Sequence, residues 1–163
     1  MTIRPVRPRD VKQILALFEA VAAEGLWIGT EPDFNRALYT DFITSASRPT
    51  ERTVAFVAEN QARIILGQIT AYRDPLSGTW SLGMLVLKPH RRTGIGSALL
   101  TTLIDWAKHT GIPELYLEVF PHNEPALGLY RRFGFIQKAY HKNQLTRRNG
   151  ERWDTIEMML SLP

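Results

Sequence analysis

The sequence predicts an α+β protein built on a mixed, mostly antiparallel sheet. Three strand-like runs follow one another through short turns in the middle of the chain, which is typical of antiparallel neighbours. A strand, a helix and another strand come next, and this succession requires a right-handed parallel crossover. The chain closes with a hairpin signalled by Asn149-Gly150. The predicted order is β-α-α-β-β-β-α-β-α-β-β, with about seven strands and four helices.

The length and composition are those of one globular domain. The 163 residues are enough for a sizeable core, so 1–163 is predicted to be a single domain. The absence of cysteine excludes disulfides, thiolate metal sites and cysteine nucleophiles, and the histidines show no ligand spacing, so no metal is expected. There is no apolar signal core at the start and no apolar run long enough to span a bilayer. We therefore expect a cytoplasmic protein with no membrane partner.

The net charge of +4 arises in the second half of the chain. Residues 1–87 carry nine basic and nine acidic side chains, whereas residues 88–163 carry eleven basic and seven acidic ones. This imbalance favours an anionic ligand in the second half. The basic residues are scattered along the sequence rather than gathered in one run, so no nucleic-acid partner is expected.

The first third of the chain is predicted to hold one strand and two helices. The strand is Ile3–Val6, and Gly25 ends the helix that follows it. Asp10 and Gln13 have the spacing of a capping box at the start of that helix. The second helix runs from about Phe34 to Ser45. The apolar residues at helical spacing are Val11, Ile14, Leu15, Phe18 and Val21 or Ala22 in the first helix, and Phe34, Leu38 and Phe42 in the second.

The loop between these helices, Leu26–Asp33, is expected to expose Trp27 and two acids. The polar segment Arg48–Arg52 is predicted to be a connection because it contains a proline. The antiparallel meander then consists of Thr53–Glu59, Ile64–Tyr72 and Trp80–Leu87, with turns at residues 60–63 and 74–78.

A glycine-rich turn links the last of these strands to a helix, and its sequence is Arg91, Arg92, Thr93, Gly94, Ile95, Gly96 and Ser97. The N–H groups of a first helical turn have no internal partner, and the helix dipole favours negative charge there, so such a turn can cradle a phosphate. Leu99 occupies the place of the third glycine of a dinucleotide fingerprint, and no Walker sequence occurs. An ordinary strand–helix turn is the alternative.

A second turn of this kind follows the next strand, Glu114–Phe120. Asn123 is placed to cap the helix after it, Pro125 suits the first helical turn, and Gly134 ends the helix. If the two strands are parallel neighbours, both helices begin at the sheet edge where such sheets bind ligands. The rest of the chain is the final hairpin, Phe135–Arg147 and Glu151–Leu160.

The two turns and the element order resemble the GNAT superfamily of acetyl-CoA-dependent N-acetyltransferases, over nearly the whole chain. Residues 91–96, RRTGIG, match the pyrophosphate loop R/Q-x-x-G-x-G/A of that family. Residues 119–135 match V-x-x-x-N-x-x-A-x-x-L-Y-x-x-x-G-F. The opening and the closing residues are similar to the family's first strand and helix and to its last hairpin. Pro89 departs from the pattern, since it stands two residues before Arg91 where three are commoner.

The resemblance implies acetyl-CoA as the acyl donor, with no metal. Asn123 would contact the cofactor arm, and a bulge near Gly83 would separate the fourth strand from the fifth. Arg91 would either contact a phosphate or fix the loop, and Arg131 and Arg132 would either reach the 3′-phosphate or remain solvated. Backbone groups of Met84, Leu85 and Val86 would bind pantetheine, and those of Arg92, Thr93, Gly94, Ile95, Gly96 and Ser97 would surround the pyrophosphate.

The resemblance also implies a mechanism of direct attack by the amine on the thioester. Tyr130 resembles the tyrosine that protonates the departing thiolate of CoA, the alternative being a core aromatic residue. The backbone N–H of Leu85 would hold the oxyanion. Some members carry a glutamate on the fourth strand, where this chain has serine and glycine. The alternatives for a general base are Glu31, Asp33, Glu118 or a chain of water molecules.

The expected function is acetyl transfer from acetyl-CoA to a primary amine of a small molecule, an amino acid or a peptide N-terminus. A non-catalytic, CoA-binding regulatory module of the same fold is the alternative. Because many relatives dimerise and no sequence feature decides the matter, a homodimer stays open. The candidates for lining an acceptor pocket, each of which could equally be a packing residue, are Trp27, Tyr72, Trp80 and Tyr140.

Overall fold

A computed structural model describes residues 1–48 and 52–163, so the predicted connection Arg48–Arg52 lies partly outside the described residues. The described residues form seven strands and four α-helices in the predicted order. The strands are β1 (Thr2–Pro5), β2 (Thr53–Glu59), β3 (Ile65–Arg73), β4 (Trp80–Val86), β5 (Glu114–Val119), β6 (Ile136–Thr146) and β7 (Arg152–Ser161). The helices are α1 (Val11–Ala22), α2 (Arg36–Ala46), α3 (Ile95–His109) and α4 (Glu124–Arg132).

The strands make one mixed sheet in the order β1-β2-β3-β4-β5-β7-β6. β4 and β5 are parallel, and the other neighbours are antiparallel, which confirms the predicted α+β architecture. The helix that crosses over between β4 and β5 is α3, as the strand–helix–strand pattern requires.

The helices cover both faces of the sheet and bury a core on each. Alternation along β2 shows this, because Val54 and Phe56 belong to the core under α3 whereas Ala55 and Val57 belong to the core under α1 and α2. The predicted stripe of α3 is buried throughout, with Leu99, Leu103 and Ala107 fully inaccessible. Among residues 1–48 and 52–163, no helix is long and apolar enough to cross a membrane.

The two parallel strands separate soon after they meet. β4 and β5 pair through Trp80 with Leu115 and Ser81 with Tyr116, and no strand of the described residues pairs with the rest of β4 on that side. The bulge predicted near Gly83 is wrong, because β4 pairs with β3 in unbroken register along its whole length. The gap therefore arises from the divergence of β5 and not from an extra residue in β4.

Unbroken register also fixes which backbone groups of β4 face the gap. The Leu87 N–H donates to the Leu66 carbonyl of the neighbouring chain segment, so alternate residues before it, including Leu85, also bond toward β3. The backbone groups of Met84 and Val86 consequently point into the gap. The Leu85 N–H, expected to hold an oxyanion, is thus directed away from it.

Three local predictions differ from the structure. Asp10 does not cap α1, because a buried guanidinium engages its carboxylate, and the Gln13 amide instead bonds to the Ile65 N–H at 3.0 Å. The final hairpin turn has three residues rather than two, since the Arg147 N–H donates to the Glu151 carbonyl around Arg148, Asn149 and Gly150. Leu38 and Phe42, which were predicted to share the apolar side of α2, are 64% and 37% exposed. This helix instead packs against the core through Ile43 and Ala46.

A buried ion network ties β1 to α1 and β2. The Arg4 guanidinium donates to both Asp10 oxygens at 2.7 and 2.9 Å, and to both Glu59 oxygens at 3.0 and 2.7 Å. Burial raises the pKa of Asp10, but the hydrogen bonds from Arg4 and from the Arg7 N–H outweigh it, so the pKa lies below its usual 3.8. Asp10 therefore stabilises the fold in its charged form.

Asp10→Asn should lower the free energy of unfolding by about 3 kcal/mol, because it leaves the buried Arg4 partly unpaired. Chemical denaturation at neutral pH measures this loss. Because the folded pKa is depressed, the difference from wild type is full above the unfolded pKa and shrinks as pH falls through the folded one. Asp105→Asn, the same change on an exposed helix surface, is the control. Equal stability of the two variants would contradict a stabilising role for this pair.

Candidate active site

A crevice of about 410 Å³ lies where β4 and β5 diverge, at the N-terminal ends of α3 and α4. Both helices begin at this edge because both follow strands that point toward it, as predicted. Of the predicted site residues, those that line the crevice are Met84, Leu85, Val86, Arg91, Arg92, Gly94, Gly96, Ser97 and Asn123. Thr93, Ile95 and Tyr130 are predicted site residues that do not line it.

The glycine turn opens the first turn of α3 to the crevice. Gly94 precedes the helix with φ +89°, a conformation that side chains disfavour, and offers no side chain to cap the helix. At Gly96, an added Cβ would lie 3.2 Å from the Leu129 side chain and 3.4 Å from that of Met84. The first N–H groups of α3 therefore remain accessible to a ligand in the crevice, without an intrahelical partner.

The crevice is basic around this turn. Arg92 and Arg132 line it together with His90, and no carboxylate is among its lining residues within the described chain. Arg131, the other arginine considered for a phosphate, is exposed and does not line the crevice. Two guanidinium groups and a helix N-terminus form a setting that favours a phosphorylated ligand.

Arg91 is held in place by protein groups. Its guanidinium binds the Glu24 carboxylate at 2.8 and 2.5 Å, and its Nε donates to the Val86 carbonyl at 2.9 Å. The Trp27 indole N–H donates to the same carboxylate, and the guanidinium lies 5.8 Å from the indole ring centre. Hydrogen bonds from Arg91 lower the pKa of Glu24, so the pair stays ionised. These contacts support the loop-fixing alternative for Arg91.

Glu24→Gln should raise the KM for acetyl-CoA about threefold to tenfold and leave kcat nearly unchanged, because it weakens one loop-fixing ion pair. Steady-state kinetics at varied acetyl-CoA measure this. Glu19→Gln, which removes an exposed ion pair between α1 and Arg36 of α2, should leave both constants unchanged. Unchanged KM in the Glu24 variant would mean that the loop keeps its shape without this pair.

Asn123 and Tyr130 lie on α4 beside the crevice. The Asn123 side chain caps the helix by accepting from the Ala126 N–H at 3.3 Å, and it also lines the crevice. Tyr130 is 6% exposed, packs its ring 5.6 Å from that of Phe135, and follows the crevice residue Leu129. Burial raises the pKa of Tyr130 to about 12, so its hydroxyl holds its proton at neutral pH.

None of the three candidate carboxylates lines the crevice. Glu31 binds the Arg147 guanidinium at 3.1 Å, Asp33 pairs with Arg148, and Glu118 is exposed on β5. The two ion pairs fasten the α1–α2 loop to the β6–β7 hairpin, and Arg147 also donates to the Ile28 carbonyl at 2.9 Å. Glu31 and Asp33 are thus engaged by arginines, and Glu118 is not among the residues that line the crevice.

A second cavity, of about 480 Å³, shares part of its wall with the crevice. Ile28, Met84 and Leu85 line both spaces. We call this second space the apolar cavity, because its walls are largely hydrocarbon. Its remaining lining residues are Phe18, Thr30, Leu38, Tyr39, Phe42, Gln68, Thr70, Tyr72 and Gly83.

Of the four aromatic residues proposed for an acceptor pocket, Tyr72 lines the apolar cavity and Trp27 lines the crevice. Trp27 is half-buried rather than exposed. Trp80 packs against Trp106 at 5.4 Å, and the Tyr140 hydroxyl donates to Asp154 on the last hairpin. Sequence reasoning missed Gln68 and Thr70, although polar residues inside an otherwise buried strand are a usable signal.

The family model described as "Acetyltransferase (GNAT) family" matches residues 16–135. The ribosomal protein bS18-alanine N-acetyltransferase of Escherichia coli (strain K12) is 31% identical over 119 residues, which cover 73% of this chain and 78% of that protein.

Solved structures share the whole fold. A ribosomal-protein-alanine N-acetyltransferase from Brucella melitensis superposes with a TM-score of 0.89 at 22% identity, covering 99% of this chain and 100% of that one. A phosphinothricin acetyltransferase from Sinorhizobium meliloti, solved in complex with AcCoA, gives 0.87 at 19% identity, covering 99% and 88%. At these identities the likeness is one of fold.

Proposed function

Because this chain belongs to the acetyltransferase (GNAT) family and is an acetyl-CoA-dependent N-acetyltransferase, we propose that it acetylates a primary amine held in the apolar cavity. The observation that carries this proposal is the meeting of the basic crevice and the apolar cavity at Met84 and Leu85. A donor in one space and an acceptor in the other would come together at β4. The amine then attacks the thioester directly in a ternary complex.

The crevice suits acetyl-CoA, which supplies the activated acetyl group when bound. The open N–H groups at the start of α3 and the side chains of Arg92 and Arg132 would hold its phosphates. The close approach at Gly96, where a Cβ would meet two side chains, leaves room for backbone contact only. Met84 and Val86 would offer backbone groups to the pantetheine arm, since both face the gap.

Charge that develops during the reaction has partners in this arrangement. The Met84 N–H, which faces the gap, takes the oxyanion role expected for Leu85. Tyr130 would donate its proton to the departing thiolate, and burial, which raises its pKa to about 12, keeps the hydroxyl protonated at neutral pH. Since the three candidate carboxylates lie elsewhere, the amine would enter in its neutral form or lose its proton to water.

Thiol release from acetyl-CoA, followed with a panel of amines, tests this proposal. We expect release that depends on one class of amine, together with an acetylated product identified by mass spectrometry. Tight acetyl-CoA binding without accelerated release by any amine would instead support a non-catalytic CoA-binding module. The relatives named above act on a protein alanine and on phosphinothricin, so membership of the family leaves the acceptor open.

A further inference from the structure

We infer that the acceptor is a hydrophobic aromatic amine that carries no carboxylate or other acidic group. This inference rests on the proposed acetyl transfer and adds to it the chemical class of the amine. It is drawn from the charge, the shape and the hydrogen-bonding groups of the apolar cavity. That cavity shares Met84 and Leu85 with the crevice, so its occupant would lie close to a thioester bound there.

The cavity has no charge to offer an acidic substrate. Among the described residues that line it there is no lysine, arginine or histidine, and no acid either. Arg147, which contacts the α1–α2 loop, binds Glu31, and Arg36 of α2 binds Glu19. A carboxylate that entered would lose its hydration without gaining an ion pair, which is strongly unfavourable.

The walls are shaped for a ring. Phe18 meets Tyr39 edge-to-face at 5.0 Å, and Phe42 meets Tyr72 in the same way at 6.4 Å. Pairs of this geometry present ring faces and edges to an aromatic guest, which gains contact beyond simple burial. The volume of about 480 Å³ is in the range of small-molecule sites and leaves room for a single-ring amine.

Two buried polar side chains on β3 provide hydrogen-bonding groups for the amine nitrogen of the acceptor. Gln68 and Thr70 are 2% and 7% exposed, and the Gln68 amide N–H donates to the Thr70 hydroxyl. The Gln68 amide oxygen accepts no hydrogen bond from the described residues. In the sheet, Gln68 lies opposite Leu85 of β4. This oxygen can therefore accept an N–H of the amine one strand away from the reacting thioester.

The other polar groups are too few for a peptide. The Thr30 and Tyr39 hydroxyls bond to each other at 2.8 Å, so one O–H donor of this pair is already used. A peptide N-terminus would bring several amide groups into a space whose side-chain partners are Gln68, Thr70, the Tyr72 hydroxyl and the remaining capacity of the Thr30–Tyr39 pair, and each unpaired amide is unfavourable. A small amine with a hydrocarbon body avoids this penalty.

A matched set of acceptors tests the inference in the thiol-release assay. Phenethylamine, phenylalanine and phenylalaninamide share a ring and an amine, and they differ in whether a carboxylate, a carboxamide or neither is present. We expect kcat/KM for phenethylamine to exceed that for phenylalanine at least about 100-fold, with phenylalaninamide between them. Phosphinothricin and an alanine-ended peptide are included in the same panel.

Variants of the cavity link any preference to its residues. Leu38→Arg, on the exposed rim, should reduce the preference for phenethylamine over phenylalanine at least about fivefold by supplying a cation. Leu76→Arg, an exposed leucine outside the cavity, should leave the preference unchanged. Gly83→Leu should block phenethylamine and spare acetyl-CoA binding, because a Cβ there meets nothing within 4 Å.

A separate variant tests the role of the Gln68 amide oxygen in binding the amine. Gln68→Met, which keeps the length of the side chain and removes its oxygen, should raise the KM for phenethylamine about tenfold. Gln144→Met on the exposed surface of β6 is the matched control. Equal or better use of phenylalanine, phosphinothricin or the peptide by wild-type protein would overturn the inference and leave acetyl transfer standing. No release with any acceptor would instead overturn the proposed function.

Discussion

Gly94→Glu is expected to abolish acetyl-CoA binding, with a rise in Kd of more than about 100-fold. Gly94 has φ +89°, and any side chain there is strained by about 1–2 kcal/mol. The carboxylate would also stand at the N-terminus of α3, within the crevice that the cofactor phosphates would occupy. It would compete for the open N–H groups and repel the phosphates, so strain, bulk and charge act in the same direction.

Calorimetric titration with acetyl-CoA measures the change in Kd. Gly94→Ala isolates the backbone strain, and we expect it to weaken binding about tenfold. Gly111→Glu is the matched control, because Gly111 has φ +72°, open space around its Cβ position and a place at the opposite end of the same helix. If Gly94→Glu bound acetyl-CoA as wild type does, the glycine turn would not be the phosphate site.

Tyr130→Phe is expected to lower kcat about 100-fold with little change in the KM for acetyl-CoA. The substitution keeps the ring that packs against Phe135 and removes only the hydroxyl. With a pKa of about 12 the wild-type phenol stays protonated far above neutral pH, so its ionisation should not lower kcat near the ordinary phenol value of 10.0. A thiolate leaving group without a proton donor is the expected cause of the slow turnover.

Turnover by Tyr130→Phe is compared with that by Tyr140→Phe, the same change on an exposed tyrosine of β6. Thermal unfolding of both variants shows whether the packing of α4 is retained. If the hydroxyl protonates the leaving thiolate, the loss of kcat in Tyr130→Phe should be smaller with a thioester whose thiol is a better leaving group. Unchanged kcat would mean that Tyr130 is a packing residue of the core, which its contact with Phe135 would also explain.

The sequence is most informative where structure is local. β2 has the predicted bounds, and the Asn123 cap forms as its position before Pro125 suggests. The meeting of two turns at one sheet edge was also predictable, because it follows from the parallel crossover between β4 and β5. Such features depend on neighbouring residues or on the handedness of connections.

Features that depend on distant residues or on exact register were not predictable. Arg91 meets Glu24, which is 67 residues away, and no local pattern announces that pair. The direction of the Leu85 N–H follows from the pairing of β4 with β3, and a shift of one residue would reverse it. The apolar spacing of Leu38 and Phe42 is the same whether that side of a helix meets a core or a cavity.

The α1–α2 loop is fastened at both ends, by Glu24 to the loop of Arg91 and by Glu31 to Arg147. Between these ends Ile28 lines both the crevice and the apolar cavity. If a ligand in one space moves this common wall, the occupancies of the two spaces become linked equilibria. By thermodynamic reciprocity, the factor by which a ligand in the crevice changes affinity for a ligand in the apolar cavity equals the factor by which the second ligand changes affinity for the first.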